Sequence, residues 1–426
     1  MDLSLLLIIL LIGFSLFGVP IGISIIASSL IYILSAGGLP LIVLAQKVSS
    51  GVQSYLYVSI PLYILAGGIM EESGITDKLL DASKLLVGHI AGGLAQVNVV
   101  VSCIFAGVSG SALSDVASEG PVIIPAMKKA GFDAPFAVAI TAASSLVGPI
   151  IPPSIPFVVY GSIASVSIGK MFLGGTIPGL IMGAYMMLMC WYIAKKRNYP
   201  KYPRARVSEM VKGVWTSLPA LLMPATIILG IGFGFFTPTE SAAVAVLYGL
   251  TYSLIMRTFR LKKFVLQLYK SAITTTAVML VVGGASILGY LLTIEGAPKR
   301  IVAFLTGLSS NPYIVMVAIG LFLMIVGMFM SVNAALVILT PILLPVAHAF
   351  NYDLVWFGVL VSIWLCVGLL TPPVCSCLQL ACRIGKVSLM DGFKATLPFI
   401  IAMVVMSLLI TFFPSIITFL PNLWMP

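Results

Sequence analysis

Long apolar runs of helical length, interrupted by short polar and proline-rich stretches, constrain this chain more than any other feature. "LSLLLIILLIGFSLFGVPIGISIIASSLIYIL" carries no charge across more than a bilayer's worth of backbone, and "IIAMVVMSLLITFF" carries none either. Such segments satisfy their own backbone hydrogen bonds in lipid only as helices. Of the 426 residues 60% are hydrophobic and 8% charged, which excludes a soluble globular domain and points to an all-α polytopic membrane protein. A net charge of +10 invites a nucleic-acid partner, but the basic residues fall in inter-helix loops, where a membrane protein needs them, so no nucleic acid is expected. The first eighteen residues hold Asp2 and no basic start, and they read as a retained helix.

The chain repeats itself. With an offset of 220, Gly107 falls on Gly327, Ser111 on Ser331 and Asp133 on Asp353. Pro121, Pro125, Pro152 and Pro153 fall on Pro341, Pro345, Pro372 and Pro373, and "VG" at 147–148 falls on "VG" at 367–368. Two repeats follow, 1–200 and 213–426, joined by a basic linker at 195–212. Its seven lysines and arginines place that linker in the cytoplasm. Crossings are expected at 2–18, 20–37, 54–71, 134–167 and 171–194, then at 218–236, 239–256, 271–293, 354–383 and 389–412. Five crossings per repeat give the two halves opposite topology, about ten transmembrane helices in all, with both termini outside the cytoplasm. That arrangement leaves only Lys47, Lys170, Lys299 and Arg300 of the 23 basic residues outside.

Two kinds of interruption occur once in each half. "GVSGSALSD" at 107–115 and "GMFMSVNAA" at 327–335 are polar turns between apolar segments too short to span, so 95–128 and 312–347 read as re-entrant helical hairpins. "VGPIIPPSIP" at 147–156 and "VGLLTPPVC" at 367–375 remove backbone donors and break the helices 134–167 and 354–383 in mid-span. A hairpin tip beside the break of its own half presents freed carbonyls, half-helix ends and the hydroxyls of Ser111, Ser331 or Thr371. Neutral oxygens suit Na⁺ and half-helix N-termini suit a carboxylate, so two Na⁺ sites around one organic-anion site are expected. The plainer reading of each serine and glycine is close helix packing; duplication of tip and break at one offset argues against it. Asp115 either balances the cations or hydrogen-bonds the tip, and Glu119 reads as structural. Glu240, in "FFTPTES", is a loop end, a helix cap or part of a docking surface. Cys366, Cys375, Cys377 and Cys382 read as packing residues, without a histidine to complete a metal site. His89 and His348 read as interfacial. The scattered acids give no acid–base cluster, so an enzyme is not expected, and no continuous polar stripe supports a channel.

"GVSGSALSDVASEGPVIIPAMKKAGF", "GPIIPPSIP", "FFTPTESAAVAVLYGL" and "TPPV" together resemble the large membrane subunit of tripartite ATP-independent periplasmic (TRAP) transporters along the whole chain. The resemblance implies an elevator mechanism in the bacterial inner membrane, with periplasmic termini. It implies Na⁺-driven import of a small carboxylate, from the sialic acid or C4-dicarboxylate classes with a lean towards sialic acid. A periplasmic substrate-binding protein would deliver the substrate, and a small four-helix membrane subunit, expected as a separate chain, would clasp the scaffold. Carried onto this sequence, the first Na⁺ site takes Ser109, Gly110, Ser111, Asp115, Gly148 and Pro149. The second takes Gly327, Met330, Ser331, Asn333, Gly368 and Thr371. The anion lies near Ser109, Ser111, Ser154, Asn333 and Thr371, and Glu240 becomes a contact for the binding protein. The second tip lacks the first one's "SGS" and acid, so its cation site leans on backbone carbonyls. The rival is a stand-alone Na⁺- or H⁺-coupled carboxylate symporter of the same inverted-repeat build.

Overall fold

Gly18 and Pro20 end the first apolar run and start the next. In the computed structural model, which describes residues 3–425, they separate α1 (Leu3–Leu16) from α2 (Ile21–Ala36). Gly37, at φ +64°, closes α2 with its N–H on the Ile33 carbonyl. Next come α3 (Ile42–Gly51) and α4 (Ser59–Glu72), bent 60° across a short 3-10 turn at Tyr55–Val58. The expected crossing at 54–71 is therefore α4 with a shorter helix set at an angle before it. An amphipathic helix, α5 (Ile75–Val87), then leads to the first hairpin, α6 (Gly93–Ser109) and α7 (Ala112–Lys129). The first broken helix is α8 (Ala134–Ser144), a 3-10 turn at Ser145–Val147, and α9 (Ile155–Ala164). The half closes with α10 (Ile168–Arg197).

The second half runs α11 (Val207–Gly232), α12 (Pro238–Ile255), α13 (Leu261–Ile294) and the amphipathic α14 (Ala297–Leu308). Its hairpin is α15 (Pro312–Gly327) and α16 (Val332–Ala349), and its broken helix is α17 (Leu354–Gly368) and α18 (Ser376–Gly385). It ends with α19 (Leu389–Phe412) and α20 (Ser415–Trp424). One expectation is corrected here and three helices are added. The linker is irregular only over 198–206, because α10 runs on through Lys195–Arg197 and α11 begins at Val207. The helices α5, α14 and α20 were not anticipated, because each is too short or too polar to stand out as a span. Among the described residues four helices, α10, α13, α16 and α19, are long and apolar enough to cross a bilayer alone, or up to seven if each bent pair is one span; the ten expected crossings also include broken and shorter helices that such a length criterion leaves out. The remainder falls short for a physical reason: a 16-residue helix such as α2 is about 24 Å long, less than the ~30 Å hydrocarbon core.

The two halves interleave. The half-helix after each break packs on the hairpin of the other half: α18 on α7 and α8, and α9 on α16. A second group gathers around the 34-residue α13, which packs on α2, α3 and α4, while α12 packs on α4. Glycines allow the closest crossings. A side chain at Gly358 would strike the ring of Tyr160, whose hydroxyl donates to the Leu354 carbonyl at 2.9 Å. At one end of the molecule Arg197 and Tyr199 both reach Asp133, at 2.9 and 2.5 Å, and Lys128 donates to the Gly385 carbonyl at 3.1 Å. Those contacts bring the end of α10, the linker, the base of the first hairpin and the end of α18 to the same end.

Candidate ion and substrate site at the hairpin tips

The first tip is built by Gly110. It ends α6 at φ +61° with its N–H on the Ala106 carbonyl, and a side chain there would lie 2.6 Å from the Pro153 carbonyl oxygen. Glycine is thus required twice, for the left-handed turn and for tip-to-break contact. Ser111, in extended conformation, begins α7. The Ser109 hydroxyl donates to Asp115 Oδ1 and accepts the Ser111 N–H at 3.2 Å. Asp115 is 0% exposed, and its Oδ2 has no hydrogen-bond partner among the described residues. Gly148, where the first broken helix unwinds, lies against that oxygen so closely that a side chain would collide with it. Tip and break therefore enclose one free carboxylate oxygen near the N-terminus of a half-helix.

The break itself is self-supporting. Ser154 donates to the Pro149 carbonyl at 2.5 Å and accepts the Phe157 N–H at 3.2 Å, which caps α9. Its hydroxyl is buried and committed to shaping the break, and the Pro149 oxygen keeps one lone pair beyond that bond. The Pro152–Pro153 and Pro372–Pro373 bonds are both cis.

The second tip is seated through backbone. A side chain at Gly327 would strike the Leu365 carbonyl, and one at Gly368 would come within 2.5 Å of the Met324 carbonyl. The Val374 N–H donates to the Met328 carbonyl at 3.3 Å, tying the break to the turn. Thr371 stays near the axis of α17, its N–H on Gly368 O at 3.0 Å and its hydroxyl on Val367 O at 3.2 Å. Ser331 caps α16 through the Ala334 N–H at 3.4 Å, and Asn333 Oδ1 is buried without a partner. Met330 and Thr371 are half-buried and Ser331 is exposed, whereas the first break is buried throughout. The structure thus brings together Ser109, Gly110, Ser111, Asp115 and Gly148 at one junction, and Gly327, Gly368 and Thr371 at the other. Ser331 and Asn333 stand on the first turn of α16 beside the second junction.

A buried polar ladder behind the first tip went unnoticed in the sequence. Ser102 on α6 donates to Glu119 Oε2 at 2.8 Å, and its oxygen lies 2.9 Å from Ser144 Oγ on α8. One turn back, Asn98 donates to Thr141 at 2.7 Å. Glu119 Oε1 and Asn98 Oδ1 lack partners. The available signal was polar spacing by four or three: Asn98 and Ser102, Asp115 and Glu119, Thr141 and Ser144. Away from the tips, Glu240 closes a capping box at the start of α12. It accepts the Thr237 N–H and hydroxyl at 2.8 Å each, and these bonds hold its carboxyl below the usual carboxylate range. Cys366, Cys375, Cys377 and Cys382 are buried free thiols, and among the described residues no group of three His, Cys, Asp or Glu side chains could hold a metal.

Buried half-helix junctions in an otherwise apolar helical chain are the build of a membrane transporter permease. The chain belongs to the family described as tripartite ATP-independent periplasmic transporter, DctM component, which matches residues 8–416. It is 36% identical over 409 residues to the sialic acid TRAP transporter large permease protein SiaM of Vibrio cholerae, covering 96% of each chain. It is 38% identical over 414 residues to the sialic acid TRAP transporter permease protein SiaT of Haemophilus influenzae, covering 96% of this chain and 67% of that one. The 2,3-diketo-L-gulonate TRAP transporter large permease protein YiaN of Escherichia coli is 34% identical, with 90% of each chain covered. In fold, the chain is similar to the crystal structure of the Alcanivorax borkumensis YdaH transporter, at a TM-score of 0.61 and 13% identity over 86% of each.

Proposed function

We propose that this permease imports a small organic anion across the bacterial inner membrane, driven by Na⁺ and fed by a periplasmic binding protein, with a small membrane subunit beside it. The observation that carries the reading is the first junction, where Asp115 Oδ2 lies unpaired and fully buried against the unwound Gly148. A bare carboxylate oxygen in that setting is costly unless a cation or proton meets it. In this reading one Na⁺ lies among Ser109, Gly110, Ser111, Asp115, Gly148 and Pro149. A second lies among Gly327, Met330, Ser331, Asn333, Gly368 and Thr371. The substrate carboxylate rests between the tips, near Ser109, Ser111, Asn333 and Thr371, with Ser154 holding the shape of the break. The names of SiaM and SiaT favour a sialic acid, and YiaN keeps other sugar acids open.

The same proposal treats 1–200 and 213–426 as repeats of opposite topology, with the basic end cytoplasmic and both termini periplasmic. The interleaved α6–α9 and α15–α18 form the moving body of an elevator, and the group around α13 forms its scaffold. Glu240 sits exposed at the outer end of α12, where a binding protein would dock. The test is uptake into proteoliposomes of the permease with its small subunit. Labelled N-acetylneuraminate and succinate are each supplied with and without an inward Na⁺ gradient and loaded binding protein. Uptake that needs both Na⁺ and binding protein is the expected result. Uptake indifferent to the binding protein would favour a stand-alone symporter, and uptake indifferent to Na⁺ would remove the cation sites.

A further inference from the structure

At the seam between the group around α13 and the interleaved hairpin body lies a cavity of about 420 Å³. One wall is α3, the 3-10 turn before α4, and α13; the other is the end of α9 and the middle of α16. It opens about six residues along α16 from Ser331, some 9 Å from the second tip. It lies towards the C-terminal end of α13, whereas Lys262 and Lys263 mark the N-terminal end of that helix.

The lining is unusual for this depth. Lys47 of α3 projects its ammonium over the Tyr290 ring, 4.4 Å from the centroid. No carboxylate among the described residues pairs with it, and Glu295, near the end of α13, is taken by the hydroxyl of Tyr32. The hydroxyls of Tyr57, Ser286 and Tyr290 line the same cavity, and none is hydrogen-bonded to a described residue. Thr293 completes the polar rim. Close helix packing holds α3, which carries Lys47, against α13: a side chain at Gly51 would come within 2.5 Å of Ser286 Cβ, and one at Gly283 within 3.0 Å of Val48. One ammonium beside three hydroxyls free to donate, with no carboxylate among the lining residues, forms a site that favours an anion, and the cavity's volume is that of a small-molecule pocket.

We propose that this cavity is an anion-capture site at the outer mouth of the permease, in which Lys47 binds the carboxylate of a hydroxylated organic acid before it reaches the tips. The assignment rests on the import reading for its direction, though not for its chemistry. A cation in a low-dielectric seam attracts anions and repels cations, and a carboxylate with hydroxyl groups matches the hydroxyls that line it.

The test uses two thiol reagents of similar size and opposite charge, 2-sulfonatoethyl and 2-(trimethylammonium)ethyl methanethiosulfonate. They are applied to the outer face of the intact permease complex carrying Ser286→Cys, with the parent's own labelling subtracted. Relative to each reagent's rate with a free thiol in solution, the sulfonate reagent should be favoured roughly tenfold over the ammonium reagent, the lower end of electrostatic focusing in a cleft. Lys47→Gln should abolish that preference and Lys47→Arg should keep it. Thr293→Cys, at the rim, serves as a second reporter if the first variant folds poorly. A preference that is absent, or unchanged in Lys47→Gln, overturns the site; a phospholipid phosphate resident on Lys47 would give that result. In uptake assays Lys47→Gln should raise the KM of N-acetylneuraminate with the maximal rate unchanged. A parent that takes up no anion, with the labelling preference intact, counts against the import reading and leaves the anion site standing.

Discussion

Asp115 has one oxygen satisfied by Ser109 and one satisfied by none of the described residues. The two can be tested separately. Asp115→Asn keeps the shape and can still accept from Ser109, but it removes the charge. It should raise the Na⁺ concentration for half-maximal uptake by more than about tenfold, since a unit charge a few ångströms from a cation contributes several kcal/mol at low effective dielectric. An unchanged Na⁺ curve would reduce Asp115 to a tip-shaping residue. Gly110→Ala addresses the turn itself. At φ +61° an alanine costs about 1–2 kcal/mol, and its methyl would press on the Pro153 carbonyl, so uptake should fall even where the protein still folds. Size-exclusion chromatography beside the uptake assay separates these two effects.

Among elements, α6, α7 and α8 are joined by the ladder of Asn98, Thr141, Ser102, Ser144 and Glu119. Glu119→Ala removes the carboxylate that accepts from Ser102 in a buried interior, leaving Ser144 Oγ as the remaining neighbour, and should lower stability by about 1–3 kcal/mol. Glu119→Gln retains an acceptor and should lose less, which thermal unfolding in detergent will measure. The hairpins and breaks were legible in the sequence because glycine, proline and serine stand out in an apolar run, and because each feature recurs at the offset of 220. The ladder was not. A lone Asn98 or Thr141 in an apolar helix looks like packing until the facing helix is known, and that pairing is a long-range fact. The helices α5 and α14 were missed for another reason. Their apolar residues recur on one face, as Ile301, Leu305 and Leu308 do, and a search for ~20-residue apolar windows passes over such a pattern.

At the scale of the whole molecule, α13 packs on α16 where the proposed scaffold faces the proposed moving body. A side chain at Gly289 would lie 3.2 Å from Pro341 Cβ, close to the spacing of a disulfide's β-carbons. If hairpins and broken helices move as a body, oxidation of the Gly289→Cys/Pro341→Cys pair should stop uptake and reduction should restore it. Transport that continues with the pair oxidised would mean that the two groups do not slide at this seam. The single-cysteine variants control for loss of the proline. That α18 embraces the first hairpin and α9 the second lay outside any local pattern, since it joins residues more than about 160 positions apart in the chain.

The same interleaving sets a schedule for biosynthesis. The helix that bears Asp115 and Glu119 packs against α18, which the ribosome makes some 250 residues later. At ~5–20 residues per second, α7 spends roughly 10–50 s in or beside the translocon before its cover exists. Throughout that interval two acidic side chains must be sheltered by the insertion machinery, by water or by bound protons. The half-made chain is therefore the stage most exposed to quality-control proteases, and a truncated product ending before α18 should be cleared rather than accumulate.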